Sequence, residues 1–226
     1  ARKRVARERL CAQLPRVPAL PGVLASVQKE FPGEEYELAH LSAKFQSFAK
    51  PDAADGQLLA MLVKAAVELT TQEAPRWEII AARLLMVQFD RALAERLAAR
   101  HIETFAQKVA FLAEEGLYGD YILQHYTPAE LDEAAGFIDL SRNDLFTYAG
   151  LQLLLDRYVI RTHQGAPLES PQEMFLGIAL HLAMEERASE RMGWVRRFYD
   201  MLSTLKVTMA TPTLSNARKP FHQLSS

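Results

Sequence analysis

Hydroxyls, amides and cations crowd the last twenty residues of this 226-residue chain. The stretch Val207-Thr-Met-Ala-Thr-Pro-Thr-Leu-Ser-Asn-Ala-Arg-Lys-Pro-Phe-His-Gln-Leu-Ser-Ser226 opens as a short β-prone run and then loses periodicity. Thr211 precedes Pro212, which biases it toward an extended backbone. Ser, Thr, Asn and backbone N–H groups in irregular turns can aim several donors at one anion. From residue 191 onward there are six basic residues, Arg191, Arg196, Arg197, Lys206, Arg218 and Lys219, against one acid, Asp200. The chemistry this suits is a phosphate cradle beside Arg218, Lys219 and His222, at the mouth of a sheet. The same composition also suits a solvated polar tail.

Elsewhere the residue types point to packing. Glu114-Glu115, Glu130 with Asp132-Glu133, and Glu185-Glu186 are acidic clusters without enough histidines at ligand spacing. His181 and Glu185, four apart, come nearest, but a metal usually takes three or more protein ligands. The histidines at 40, 101, 125, 163, 181 and 222 are scattered. No Walker-type loop, dinucleotide fingerprint or Ser-His-Asp arrangement is present. Tyr148 and Tyr199 lie in apolar helical stripes, where core packing is their role.

Composition sets the class. A hydrophobic content of 49 % with 24 % charged residues is that of a soluble globular chain. The net charge of −2 argues for neither nucleic acid nor membrane as partner. No apolar run approaches the roughly 18–20 residues of a membrane span. The single cysteine, Cys11, excludes an internal disulfide and any multi-cysteine metal site, which suits a reducing, cytoplasmic compartment. The first sixteen residues carry six basic residues against Glu8, without the apolar core of a signal peptide, and read as a solvated amphipathic turn of helix.

The elements that must position the C-terminal stretch are nearly all helices. Pro15, Pro18, Pro21 and Pro32-Gly33 break the first part into short pieces. Leu38, Leu41, Phe45 and Phe48 recur at helical spacing, and a second helix follows through Leu58 to Leu69. A long pattern runs from Trp77 to about Ala99, and another from Phe105 to Leu117, closed by Gly119. Thr127-Pro-Ala-Glu130 and Ser170-Pro-Gln-Glu173 are capping boxes, each with proline at the first helical position. They start helices to about Phe137 and Met184. Leu145 to Arg157 and Ser189 to Leu205 complete the helices. A small hairpin is predicted around His163-Gln-Gly165, and a strand at Val207.

Thr211-Pro-Thr-Leu-Ser-Asn-Ala-Arg and Gln223-Leu-Ser-Ser resemble the start of the catalytic barrel in the large subunit of class I ribonucleotide reductase. Asp144-Leu-Phe-Thr-Tyr-Ala-Gly-Leu-Gln, Arg157-Tyr-Val-Ile-Arg, Phe198-Tyr-Asp-Met-Leu-Ser and Ala74-Pro-Arg-Trp-Glu-Ile-Ile-Ala-Ala-Arg-Leu resemble the same family, in its order and spacing. The resemblance implies a mainly α fold: the helical N-terminal domain of the large subunit, with a small hairpin and a terminal strand that would start the α/β barrel. It divides the chain into a degenerate cone-like region at 1–100, a helical domain at 101–206, and the first strand and turn of the barrel at 207–226.

The family reduces ribonucleoside diphosphates to deoxyribonucleotides by radical chemistry at the ribose. A redox-active cysteine follows Gln-Leu-Ser-Ser in the family, so the resemblance places all three reaction cysteines beyond Ser226. No catalytic residue is expected here, and the chain alone is expected to be inactive. Thr211 matches the threonine that contacts substrate phosphate, and Ser226 matches the serine before the first redox cysteine, with Ser225 beside it. No cofactor or metal is expected in this chain. The complete enzyme requires a radical-generating small subunit with a metal centre, a dithiol reductant and the remainder of the large subunit, which is implied to be a homodimer.

The family often carries an N-terminal cone that binds ATP or dATP. Its opening hairpin, with a Lys-Arg-Asp-Gly turn, is not found in residues 1–14, and Asp55 and Leu59 stand where threonine and histidine are usual. Arg91 takes the place of a lysine. An acid at 55 repels a triphosphate, so the region reads as a remnant kept for packing. Two other functions compete: a helical subunit-interaction module, and a nucleotide-sensing regulatory domain with a working cone.

Overall fold

The computed structural model describes residues 2–50 and 52–224. It divides into two compact units, one made of Ala1–Ala92 with Phe146–Gln152, the other of Leu93–Leu145 with Leu153–Ser226.

The first unit contains α1 (Arg2–Gln13), α2 (Leu20–Glu30), a 3₁₀ turn at Glu34–Tyr36, α3 (Leu38–Gln46), α4 (Asp55–Glu68) and most of α5 (Trp77–Ala98). The expected solvated basic turn is a packed helix. Ala6 and Leu10 fall four apart on α1 and are buried, so that α1 lies against α2 and α3. The prolines break the chain less than their number suggests. Pro21 sits in the first turn of α2, where its missing N–H has no intrahelical partner to lose. Leu20, Leu24 and Val27 then reach the core at helical spacing. They join Leu41, Phe45, Leu59, Leu62, Ile80 and Leu84 in one apolar cluster. Trp77 packs against Tyr36 with ring centroids 6.2 Å apart and donates from Nε1 to the Glu35 carbonyl at 2.9 Å. Tyr148 packs against the same cluster.

The second unit contains the end of α5, α6 (Phe105–Glu114), α7 (Tyr121–His125), α8 (Pro128–Ala135), a 3₁₀ segment at Leu140–Leu145, the end of α9 (Tyr148–Arg157), α10 (Pro171–Ala183), α11 (Ala188–Ser203) and α12 (Thr211–Asn216). Its axis is α10, whose side chains are buried on all sides, as a helix of such low polarity must be. Helix α11 packs along it. Tyr199 donates to Gln172 Oε1 at 2.8 Å and accepts from the Asp139 amide at 2.9 Å, so the buried phenol and amide satisfy one another. Both predicted capping boxes form: Thr127 accepts from the Glu130 amide and Ser170 from the Glu173 amide.

Three local expectations are corrected. Helix α6 is closed by Gly116 and not by Gly119. Gly116 takes φ 67°, and the amides of Gly116 and Leu117 bond back to Ala113 and Leu112, the αL ending for which glycine is suited. The hairpin reduces to one bridge, Arg161 with Pro167, flanked by the bonds Thr162 N–H to Ala166 O and Leu168 N–H to Ile160 O. The terminal strand does not form among the described residues. Residues 207–210 are irregular, and the chain then enters α12 with Pro212 in its first turn. A lone extended run has no ladder partner for its N–H and C=O groups, whereas proline suits a helix start.

The first unit also shows the surroundings of Asp55, Leu59 and Arg91. Leu59 is fully buried and offers no polar group. Arg91 Nη2 lies 3.4 Å from Asp55 Oδ2, so its charge is met by that carboxylate. Isothermal titration with dATP is therefore expected to show no site tighter than about millimolar, equivalent to about −4 kcal/mol. A micromolar site on this chain would contradict the reading of these residues as packing elements.

Candidate functional site

The C-terminal stretch is organised around Arg218, which is fully buried and has φ 77°. Arginine carries five N–H donors in a fixed fork, and all five are used. Nε donates to Glu169 Oε2 at 2.9 Å, and Nη2 donates to Glu169 Oε1 at 2.5 Å and to the Tyr158 carbonyl at 2.9 Å. Nη1 donates to the carbonyls of Leu214 and Ala217 at 3.0 and 3.1 Å. Glu169, 1 % exposed, also accepts from the Ile160 amide at 3.2 Å and from Tyr118 Oη at 3.5 Å. Burial pulls the guanidinium pKa down, but the Glu169 charge and hydrogen bonds outweigh it and leave it raised. Burial, and then the Glu169 carboxylate, push the Tyr118 phenol well above its ordinary value.

This geometry revises the expected basic cradle. Arg218 is an interior anchor, and its donors are closed to an outside anion. Arg191 turns back to the carbonyls of His125 and Glu186, while Arg196 lies over Phe137 and Arg197 over Trp194. Lys219 is half-buried, and burial followed by the Arg218 charge lowers its pKa. His222 is exposed, with its ring 4.6 Å from that of Tyr121. Tyr121 Oη in turn meets His181 Nδ1 at 2.9 Å and donates to the Lys219 carbonyl at 3.3 Å. Arg191, Arg196 and Arg197 are thus engaged by carbonyls and aromatic faces.

Of the three predicted site residues, Thr211 is described, and Ser225 and Ser226 lie outside the described residues. Thr211 begins α12 with its side chain exposed, and its Oγ1 is 3.3 Å from Tyr158 Oη. Arg218 fixes this helix by taking the carbonyls of Leu214 and Ala217, and the Arg218 carbonyl accepts from the Gly119 amide at 2.8 Å. Among the described residues no group of three His, Cys, Asp or Glu side chains is placed to hold a metal. The N-terminus of α10 is held by charge: Glu173 accepts from the Ser170 amide and pairs with the buried Lys108 at 2.5 Å.

Comparison with known proteins decides the family. Residues 144–222 match the model of the ribonucleotide reductase all-alpha domain. The whole chain is 55 % identical over 225 residues to the ribonucleoside-diphosphate reductase subunit alpha of Treponema pallidum (strain Nichols), covering 100 % of this chain and 26 % of that protein. This chain belongs to the ribonucleotide reductase large-subunit family. It matches the N-terminal portion of those subunits. The subunit alpha of Chlamydia trachomatis serovar D is 33 % identical over 213 residues, 84 % of this chain and 19 % of that protein. The reductase 1 subunit alpha of Escherichia coli (strain K12) is 30 % identical over 166 residues, 73 % of this chain and 21 % of its own length. The chain therefore spans about a quarter or less of the relatives it matches.

Within this reductase portion, sequence reasoning missed Glu169 and Tyr158. Glu169 is the acid next to the capping Ser170, and Tyr158 is the second residue of the family-like run Arg157-Tyr-Val-Ile-Arg. Neither type nor spacing marks them, because their partners, Arg218 and Thr211, are 49 and 53 residues away.

The anchor leaves no room beside α10. A Cβ at Gly177 would stand 2.2 Å from Tyr118 Oη and 2.5 Å from Arg218 Cδ. Both atoms belong to buried side chains held by Glu169. Gly177→Ala is thus expected to destabilise the fold by about 1–3 kcal/mol, the usual cost of overpacking. A thermal melt checks it, and an unchanged midpoint would contradict the close approach.

Proposed function

We propose that this chain is the helical, substrate-side portion of a ribonucleoside-diphosphate reductase large subunit, and that Thr211 contacts the substrate diphosphate there. The observation that carries the reading is the exposed Thr211 hydroxyl at the start of a helix whose far end is pinned in the core by Arg218 and Glu169. A phosphate contact needs a donor that is open to solvent yet fixed in space, and this arrangement provides both. Ser225 and Ser226 complete the substrate contacts in this proposal.

The reading assigns the radical chemistry to groups outside this chain: redox cysteines in the remainder of the large subunit, a metal-bearing small subunit, and an external dithiol. Cys11 is no substitute. It lies on α1 in the first unit, half-buried, and burial raises its thiol pKa although Arg7 opposes the shift. The exposed apolar side chains Leu140, Leu145, Met201, Leu205 and Phe221 support the partner side of the proposal, in which the rest of the subunit or a second copy covers them.

Steady-state kinetics of the complete enzyme test the reading. A hydrogen bond to a charged group is worth about 1.5–3 kcal/mol. Thr211→Ala is therefore expected to raise KM for the diphosphate by about tenfold or more, with a smaller effect on kcat, because the phosphate is remote from the reacting carbon. Thr211→Ser keeps the donor and most of the affinity. Equal KM for wild type and Thr211→Ala, with unchanged melts, would remove the assignment.

A further inference from the structure

Thr211 Oγ1 has one proton and two lone pairs, and the structure places Tyr158 Oη 3.3 Å from it. Either hydroxyl can be the donor of this bond, and the choice decides what Thr211 can do. If threonine donates to tyrosine, its proton is spent and a phosphate oxygen, which at neutral pH is chiefly an acceptor, finds no donor. If tyrosine donates, the threonine O–H is free to point outward. A phenol is the stronger acid of the two and so the better donor.

Tyr158 is itself held in the interior by its backbone. It is 7 % exposed, its amide bonds to the Leu154 carbonyl at 3.0 Å, and its carbonyl accepts from Arg218 Nη2 at 2.9 Å. One residue thus joins the buried anchor to the exposed hydroxyl.

We infer that Tyr158 is a positioning residue for substrate: its phenolic O–H donates to Thr211 Oγ1, which turns the Thr211 proton toward a diphosphate oxygen. The inference rests on the assignment of Thr211 to the substrate diphosphate. It adds a residue that does not touch substrate. The relay Tyr158 O–H to Thr211 O–H to phosphate runs in one direction, and each bond polarises the next.

The test is a double-mutant cycle in the complete enzyme, reading KM and kcat for the diphosphate substrate. Removing one neutral hydrogen bond typically costs about 0.5–1.5 kcal/mol, so Tyr158→Phe is expected to raise KM by about two- to tenfold with kcat nearly unchanged. Tyr158→Phe in the Thr211→Ala background is expected to add nothing, because the proton it orients is gone. Additive effects, or an unchanged KM for Tyr158→Phe while Thr211→Ala raises it, would overturn the role of Tyr158. An unchanged KM for Thr211→Ala would instead overturn the underlying assignment, and the two failures are distinguishable. Because Tyr158→Phe can perturb the fold, 3-fluorotyrosine at 158 serves as a second variant that keeps ring and hydroxyl. It is a stronger donor and weaker acceptor, so KM is expected to stay level or fall. A rise in KM would show that Tyr158 accepts, and would overturn the inference.

Discussion

The second unit of this chain depends on one buried ion pair, Arg218 with Glu169. An unpaired charge in an apolar interior is so costly that it is normally neutralised or expelled. Here the guanidinium and the carboxylate are 0 % and 1 % exposed, the fork is bidentate, and the three remaining arginine donors find backbone carbonyls. Such a pair is a weak argument for net stability, because desolvation offsets most of the attraction, but removing one partner typically costs about 3–5 kcal/mol. Its value is geometric. The pair ties together the segments that supply its bonds: the stretch leading into the bridge of Arg161 and Pro167, the end of α12, and the turn at Gly119.

Several otherwise unrelated features follow from that constraint. Gly177 lacks a side chain where α10 faces Arg218 Cδ and Tyr118 Oη. Arg218 adopts a left-handed backbone, uncommon outside glycine and asparagine, because its carbonyl must reach the Gly119 amide while its side chain points inward. Lys219 is carried into a half-buried position, where its carbonyl meets Tyr121 Oη. Thr211, at the open end of the same helix, is left exposed against Tyr158. The hydroxyl proposed for a charged ligand thus stands on an interior whose arginine is already matched by a carboxylate.

What was legible in the sequence was what local chemistry controls. Thr127 with Glu130 and Ser170 with Glu173 announce helix starts because cap and partner are three residues apart, and both helices begin there. Long apolar periodicity placed α5 and α11 to within about two residues, the usual scatter at helix ends. The failures share a cause. In sequence Pro21 looks like a breaker, because its position within a helical turn depends on where Leu20 and Leu24 are buried. The run at Val207 has the propensity of a strand, but β-propensity describes a residue that has a neighbouring strand, and none is present among the described residues. In sequence Arg218 looks like part of a solvent-facing basic cluster, because nothing near it reports the carboxylate 49 residues away. Thr211 is marked only by a family-like motif, and Tyr158, although it lies in another such motif, shows nothing in sequence of its pairing with Thr211, 53 residues away.

The central claim is that the Glu169–Arg218 pair holds the segment bearing Thr211 in place. Hydrogen exchange read by mass spectrometry on wild type and Glu169→Gln tests it most directly, since the substitution keeps shape while removing the charge and presenting an N–H₂ group to the guanidinium. The amides of Leu214, Ala217 and Gly119, bonded to Ala210, Thr213 and Arg218 carbonyls, are expected to lose protection, while α3 in the first unit keeps its own. Unchanged protection across 211–219 in Glu169→Gln would contradict the claim.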